Sequence, residues 1–167
     1  MNNLALHVFI WVMKMAIWVI GKTNDTYLKN GIEKYNDRLK HYTKLEFEEI
    51  KDVKPGQTIE ETKKREADLI ISKLKQEDIL ILMDEKGEMY DSISFSRYIE
   101  KLQVQANKNV IMLIGGAYGH HDIVRKRSNH MISLSKMTFS HQMIRLFLVE
   151  QIYRAFTIMR NEKYHNT

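Results

Sequence analysis

The sequence predicts an α/β fold, a mostly parallel sheet with helices on both faces. Three observations carry this. Apolar runs of strand length alternate with helix-length amphipathic segments from Lys14 to the C-terminal region, the pattern of repeated β-α units. The run Val110-Ile111-Met112-Leu113-Ile114 is apolar at every position, as a strand buried on both sides in a parallel sheet requires. Two apolar segments end in loops suited to a ligand, Gly115-Gly116-Ala117-Tyr118-Gly119 and Leu134 to Ser140. Open α/β sheets bind small molecules at such strand ends.

The first strand is expected over Lys14–Ile20 and ends at Gly21. A helix follows from about Asp25 to Lys40, with Tyr27, Leu28, Gly31, Ile32, Tyr35 and Leu39 on one face at the 3.6-residue period. Lys44–Ile50 alternates as a half-buried strand, and Lys54-Pro55-Gly56 is a turn. Thr58-Ile59-Glu60-Glu61 is a capping box that opens a helix to about Lys75. Ile79–Met83 is a strand ended by Asp84-Glu85-Lys86-Gly87, and a third helix lies near Ser94–Gln105. After the Val110–Ile114 strand come a short helix over His121–Arg127, a short strand over Met131–Leu134 and a last helix from about Ser140 to Met159. That last helix carries apolar residues around much of its girth, from Met143 to Phe156. It must bury two faces, and a twin subunit is the simplest cover for the second.

A length of 167 residues suits one domain. An apolar fraction of 44% with 28% charged residues is globular rather than disordered. The absence of cysteine excludes disulfides, zinc–thiolate sites and cysteine nucleophiles, and fits a cytoplasmic address. A net charge of +5 favours a polyanionic partner. Residues 1–12 contain no Asp, Glu, Lys or Arg. The apolar run they begin is interrupted by His7 and Lys14, and no basic residue precedes it, which suits neither a membrane anchor nor a secretory signal. The expectation is a start annotated too far upstream, with 1–12 an extension and 13–167 a single domain.

The glycine turn is not the dinucleotide fingerprint and follows a late strand rather than the first. The second loop offers Ser133, Ser135, Thr138 and Ser140 hydroxyls with Lys136 and His141, and Ser140 is a candidate helix cap. No serine stands on a nucleophile elbow. His120-His121-Asp122 suggests a metal, but adjacent helical residues diverge, so no metal is expected. Arg125, Lys126 and Arg127, with Arg145, Arg154 and Arg160 on the last helix, could grip a phosphate backbone. Tyr164-His165 closes the chain as either a frayed end or a contact element.

Five segments match a known family in order and spacing. They are Val19-Ile20-Gly21-Lys22, Leu113-Ile114-Gly115-Gly116-x-x-Gly119, Leu134-Ser135-Lys136-Met137-Thr138-Phe139-x-His141-Gln142-Met143-x-Arg145, Glu150-Gln151-x-Tyr153-Arg154-Ala155 and Tyr164-His165. The chain resembles the SPOUT-class methyltransferases. Within them it resembles the small single-domain bacterial enzymes that methylate N3 of a pseudouridine in large-subunit ribosomal RNA. The resemblance runs from about Met13 to the end, and departs from the family at Ser140, where proline is usual.

The resemblance implies a C-terminal trefoil knot, where the pattern of elements alone predicts an unknotted sheet. It implies S-adenosylmethionine as cofactor, contacted by Met83, Gly115, Leu134, Ser135, Lys136, Met137, Thr138 and Phe139. It further implies a homodimer whose interface includes the last helix. Removing the N3 proton calls for a base, and His141 and His165 are the candidates. Arg145 and Arg154 could instead stabilise charge on the ring, and Tyr164 could stack on it. The partners expected are a second copy of the chain and ribosomal RNA or the assembled ribosome, with no metal and no membrane. The competing readings are a non-catalytic RNA-binding protein that keeps the fold, and a membrane-tethered basic protein.

Overall fold

The structure, a computed structural model, describes residues 13–104 and 109–165. The expectation about residues 1–12 lies outside them, as does the end of the third helix at Gln105. Ten elements follow in order: β1 (Met15–Ile20), α1 (Thr26–Leu39), β2 (Leu45–Ile50), α2 (Ile59–Lys73), β3 (Ile79–Met89), α3 (Ser92–Val104), β4 (Val110–Ile114), α4 (Asp122–Arg127), β5 (His130–Ser133) and α5 (Met143–Met159). The sheet runs β2-β1-β4-β3-β5, and every neighbouring pair is parallel.

Side-chain alternation along the strands makes two cores. Met15, Ile17, Val19, Ile81, Met83, Met112 and Ile114 point to one side, where buried residues of α1, α3 and α5 meet them. Trp18, Ile20, Leu80, Leu82, Ile111 and Leu113 point to the other, under α2 and α4. Helices thus cover both faces, as the sequence predicts. All five residues of β4 are buried, because it lies mid-sheet with helices above and below.

Three local expectations need correction. The polar run Asp84–Gly87 does not end β3. The strand continues to Met89, and its register against β5 shifts between Met83 and Glu88. Gly87 permits this, since a Cβ there would lie 2.5 Å from the Ile132 backbone. Tyr27 is not on the buried face of α1 and is 61% exposed. The last helix starts at Met143 rather than Ser140, although the Ser140 hydroxyl accepts the Met143 N–H at 3.1 Å and so caps its entry.

The girth of α5 has a cover within the chain. Leu148, Val149, Ile152, Ala155 and Phe156 are buried between the sheet, α1 and α3. Leu146 reaches Gly31 of α1 so closely that a Cβ on that glycine would lie 2.9 Å from its Cδ1. A twin subunit is therefore not needed to explain these residues. Apolar surface remains on one side, where Phe139 and Phe147 are each 37% exposed, with ring centroids 5.0 Å apart.

Candidate active site

Parallel pairing in register sets Val19 of β1 and Met83, midway along β3, level with Ile114 at the carboxyl end of β4. The glycine turn after β4 and the loop between β5 and α5 enclose, with Met83 and Asp84 of β3, a cavity of about 600 Å³. Met83, Gly115, Leu134, Ser135, Met137, Thr138 and Phe139 all line it. Lys136, also expected there, does not.

The loops are held by their own polar groups. Gly119 has φ +72°, and its N–H donates to the Gly116 carbonyl at 3.1 Å, closing the glycine turn. The Ser133 hydroxyl donates to the Ser135 carbonyl at 2.7 Å, and the Ser135 hydroxyl accepts the Met137 N–H at 2.9 Å. Such local bonds preset a loop that would otherwise lose entropy on binding.

His120 is a cavity residue that sequence reasoning missed. It is 4% exposed, and its Nε2 donates to the Met83 carbonyl at 3.0 Å. A Cβ on Gly115 would sit 3.1 Å from its ring. The side chain thus joins β3 at Met83 to the glycine turn, and both line the cavity. The suggestion of a shared metal with His121 fails on direction. His121 turns away to cap α4, accepting the Ile123 N–H at 3.1 Å, and its Nε2 lies 3.2 Å from Glu60.

Burial holds the His120 imidazole below its usual pKa. Arg125 and Lys63 push the same way, while the Met83 carbonyl and Asp84 oppose them. Half-buried His141 is also lowered, by desolvation and by Arg145. Histidines that the unfolded chain protonates more readily make folding weaken in acid. Stability is complete above about pH 6.5, the unfolded value, and is lost as pH falls from there toward the lowered folded values. Urea midpoints measured from pH 7.5 down to 5 should decline, and His120→Gln, which keeps a donor for Met83, should flatten that decline. An unchanged slope would show that His120 does not carry it.

Arg145 is wholly buried. Its Nη2 donates to the Ile20 carbonyl at 2.7 Å, Nη1 to the Gly21 carbonyl at 3.1 Å and the Thr23 hydroxyl at 3.0 Å, and Nε to the His141 carbonyl at 3.1 Å. One guanidinium thus joins the β1–α1 turn to the loop before α5. This corrects the expectation of an Arg145 facing phosphate. Two other cations are likewise engaged. Arg125 pairs with Asp84 at 2.6 Å, and Arg127 donates to the carbonyls of Lys75 and Asp78 at 2.8 and 2.9 Å. Lys126 is exposed.

The remaining expected residues form a separate cluster. Arg154 lies nine residues after Arg145 on α5, about 13 Å along the helix axis. It pairs with Glu150 and stacks over the Tyr164 ring at 4.7 Å. The Tyr164 hydroxyl donates to Glu150 at 2.9 Å and lies 3.2 Å from the Tyr35 hydroxyl. His165 follows, with Nδ1 3.5 Å from Arg154 Nη1. The tail is therefore ordered against α1 and α5 up to His165. Arg154, Tyr164 and His165 do not line this chain's cavity, whereas His141 does.

A family model described as "Predicted SPOUT methyltransferase" matches residues 13–165. The ribosomal RNA large subunit methyltransferase H of Cytophaga hutchinsonii is 51% identical over 155 residues, covering 92% of this chain and 100% of that one. The protein of the same name from Christiangramia forsetii is 48% identical over 156 residues, covering 92% and 99%. Among solved structures, the SpoU methyltransferase AviRb from Streptomyces viridochromogenes, in complex with AdoMet, aligns with a TM-score of 0.44 at 12% identity, over 96% of this chain and 65% of that one. The match over residues 13–165 and the identity to these relatives are family-level, and the chain belongs to the SPOUT methyltransferase family.

Proposed function

We propose that residues 13–167 form one domain that methylates N3 of a pseudouridine in large-subunit ribosomal RNA, using S-adenosylmethionine, in the cytoplasm and as a homodimer. The observation that carries this is the cavity at the sheet edge, walled by the glycine turn and the hydroxyl-rich loop. Its volume of about 600 Å³ suits a small cofactor. Met83, Ile114, Ile132, Leu134 and Phe139 offer an apolar wall, and Asp84 and the serine hydroxyls offer polar contacts. These residues fit a ligand with a flat aromatic base and a zwitterionic tail. The family's trefoil knot would be formed by these same loops.

S-adenosylmethionine supplies an electrophilic methyl group on a sulfonium. The protein's part is to hold N3 in line with that methyl at about 3–3.5 Å and to take the N3 proton. N3–C then forms as S–C breaks, and the electron pair stays on sulfur. His141 stands in the cavity wall and, held below its usual pKa, is neutral and able to accept a proton near pH 7. His165 is the second candidate. Its cluster lies off this chain's cavity, so it would serve the partner's. The exposed Phe139–Phe147 pair beside the cavity suits a subunit contact. Arg145 then acts as a positioning residue, and Arg154, with Tyr164, orients the tail.

Tritiated-methyl transfer to native ribosomes and to naked RNA, with the modified nucleoside identified by mass, tests the proposal. Methylated pseudouridine is expected, with two subunits by light scattering. Saturable cofactor binding without transfer would favour the non-catalytic alternative. Gly115→Val should weaken cofactor binding by roughly tenfold to a hundredfold, the cost of overpacking, because even a Cβ meets the His120 ring at 3.1 Å. Calorimetry that found no change would place the cofactor elsewhere.

A further inference from the structure

Next to the cavity lies another, of about 640 Å³, over the carboxyl ends of β1 and β2. His141 lines both. The floor of this groove is preset. Gln142 donates to the Lys22 carbonyl at 3.0 Å and accepts the Asn24 N–H at 3.1 Å. The Thr23 N–H donates to Glu49 at 2.7 Å, and Arg145 holds the carbonyls of Ile20 and Gly21. Those bonds engage the carbonyls of Ile20, Gly21 and Lys22, the N–H groups of Thr23 and Asn24, the Gln142 amide and one oxygen of Glu49.

Asp52 is different. Its carboxylate is exposed on the β2 side of the groove and forms no hydrogen bond or ion pair among the described residues. It packs against Gly21, whose φ is +74°, and a Cβ there would lie 2.6 Å from its Oδ1. The glycine thus leaves the space the carboxylate fills. Lys22 and Lys51 are exposed beside it.

We propose that this groove receives the target base, turned out of its RNA, and that Asp52 tells pseudouridine from uridine. This rests on the methyl-transfer function above. Pseudouridine is joined to ribose through carbon and keeps two ring N–H groups, N1–H and N3–H. In uridine N1 bears the sugar, and a C–H stands where pseudouridine presents N1–H. With N3 turned to His141 and the cofactor cavity, N1–H faces the rest of the groove, where Asp52 accepts it. Uridine leaves that carboxylate desolvated without a donor, and sites built to bind an N–H reject analogues that lack it. Lys22 and Lys51 suit the flanking phosphates, and turning out a base is the general solution for chemistry on its edge.

The test compares kcat/KM on ribosomes from ordinary cells and from cells lacking the pseudouridine synthase for that position. Wild type, Asp52→Asn, Asp52→Ala and, as a control, Asp37→Asn are measured, each with cofactor affinity by calorimetry. Wild type and the control should prefer the pseudouridine ribosomes. Both Asp52 variants should lose that preference by roughly tenfold to a hundredfold, through slower reaction with pseudouridine, at unchanged cofactor affinity. A merely structural role would lower both rates together and leave the ratio alone. An unchanged ratio in the Asp52 variants, or no preference in wild type, overturns the proposal. Failure of wild type to methylate either ribosome overturns the methyl-transfer function itself, which cofactor affinity alone would not rescue.

Discussion

Deleting residues 164–167 should slow single-turnover methyl transfer by about 10²–10⁴-fold, the range for a lost general base, with cofactor affinity unchanged. The split follows from placement, because Tyr164 and His165 sit on α1 and α5, away from the cavity that their own chain lines. Stability should fall only modestly. The deletion removes the Tyr164 hydrogen bonds and its edge contact with Tyr153, whose ring centroid is 4.8 Å away, losses of about 1 kcal/mol each. His165→Ala should reproduce most of the rate loss, and Tyr164→Phe should separate the hydroxyl from the ring. If the truncated protein transfers methyl as fast as the full chain on ribosomes, the base is His141, and His141→Ala becomes the decisive variant.

Arg145→Ala should be the most destabilising single change at the site, by about 3–5 kcal/mol, the usual cost of emptying a buried polar network of one partner. Four acceptors are affected, the carbonyls of Ile20, Gly21 and His141 and the Thr23 hydroxyl. They would lose their donor, three of them in buried positions. Arg145→Lys should recover little, since an ammonium cannot reproduce the guanidinium's fork. Urea unfolding measures both variants. A loss under about 0.5 kcal/mol, the range of ordinary surface substitutions, would show that the turn and the loop hold without it.

The parts of the fold that were legible in the sequence are those where burial writes a period. β4 is apolar at all five positions because both its faces are covered, and Thr58 announces α2 through a cap that the Glu61 N–H completes at 3.1 Å. The loops of the cavity were legible as glycine and hydroxyl clusters at strand ends. What escaped was set by distant partners. Asp84–Gly87 reads as a turn, but β5 continues the pairing past it. The girth of α5 records that two faces are buried and not by what, and α1 and α3 supply the cover. Arg145 and His120 look like surface residues by type. Only the folded chain brings backbone carbonyls to them, from Ile20 and Gly21 in one case and Met83 in the other. The tail's residue types matched the family ending, but its resting place against Tyr35 and Glu150 depends on a helix more than a hundred residues away in sequence.

The Arg145 clamp also bears on the order in which the chain matures during synthesis. It joins groups 124 residues apart in sequence. At about 5–20 residues per second of elongation, the β1–α1 turn leaves the ribosome roughly 6–25 s before the guanidinium that fixes it. Long-range closures of this kind come late in folding. A nascent chain still lacking α5 therefore has an unfinished sheet edge at the cavity, and competence for methylation should arise only after the C-terminal helix is released.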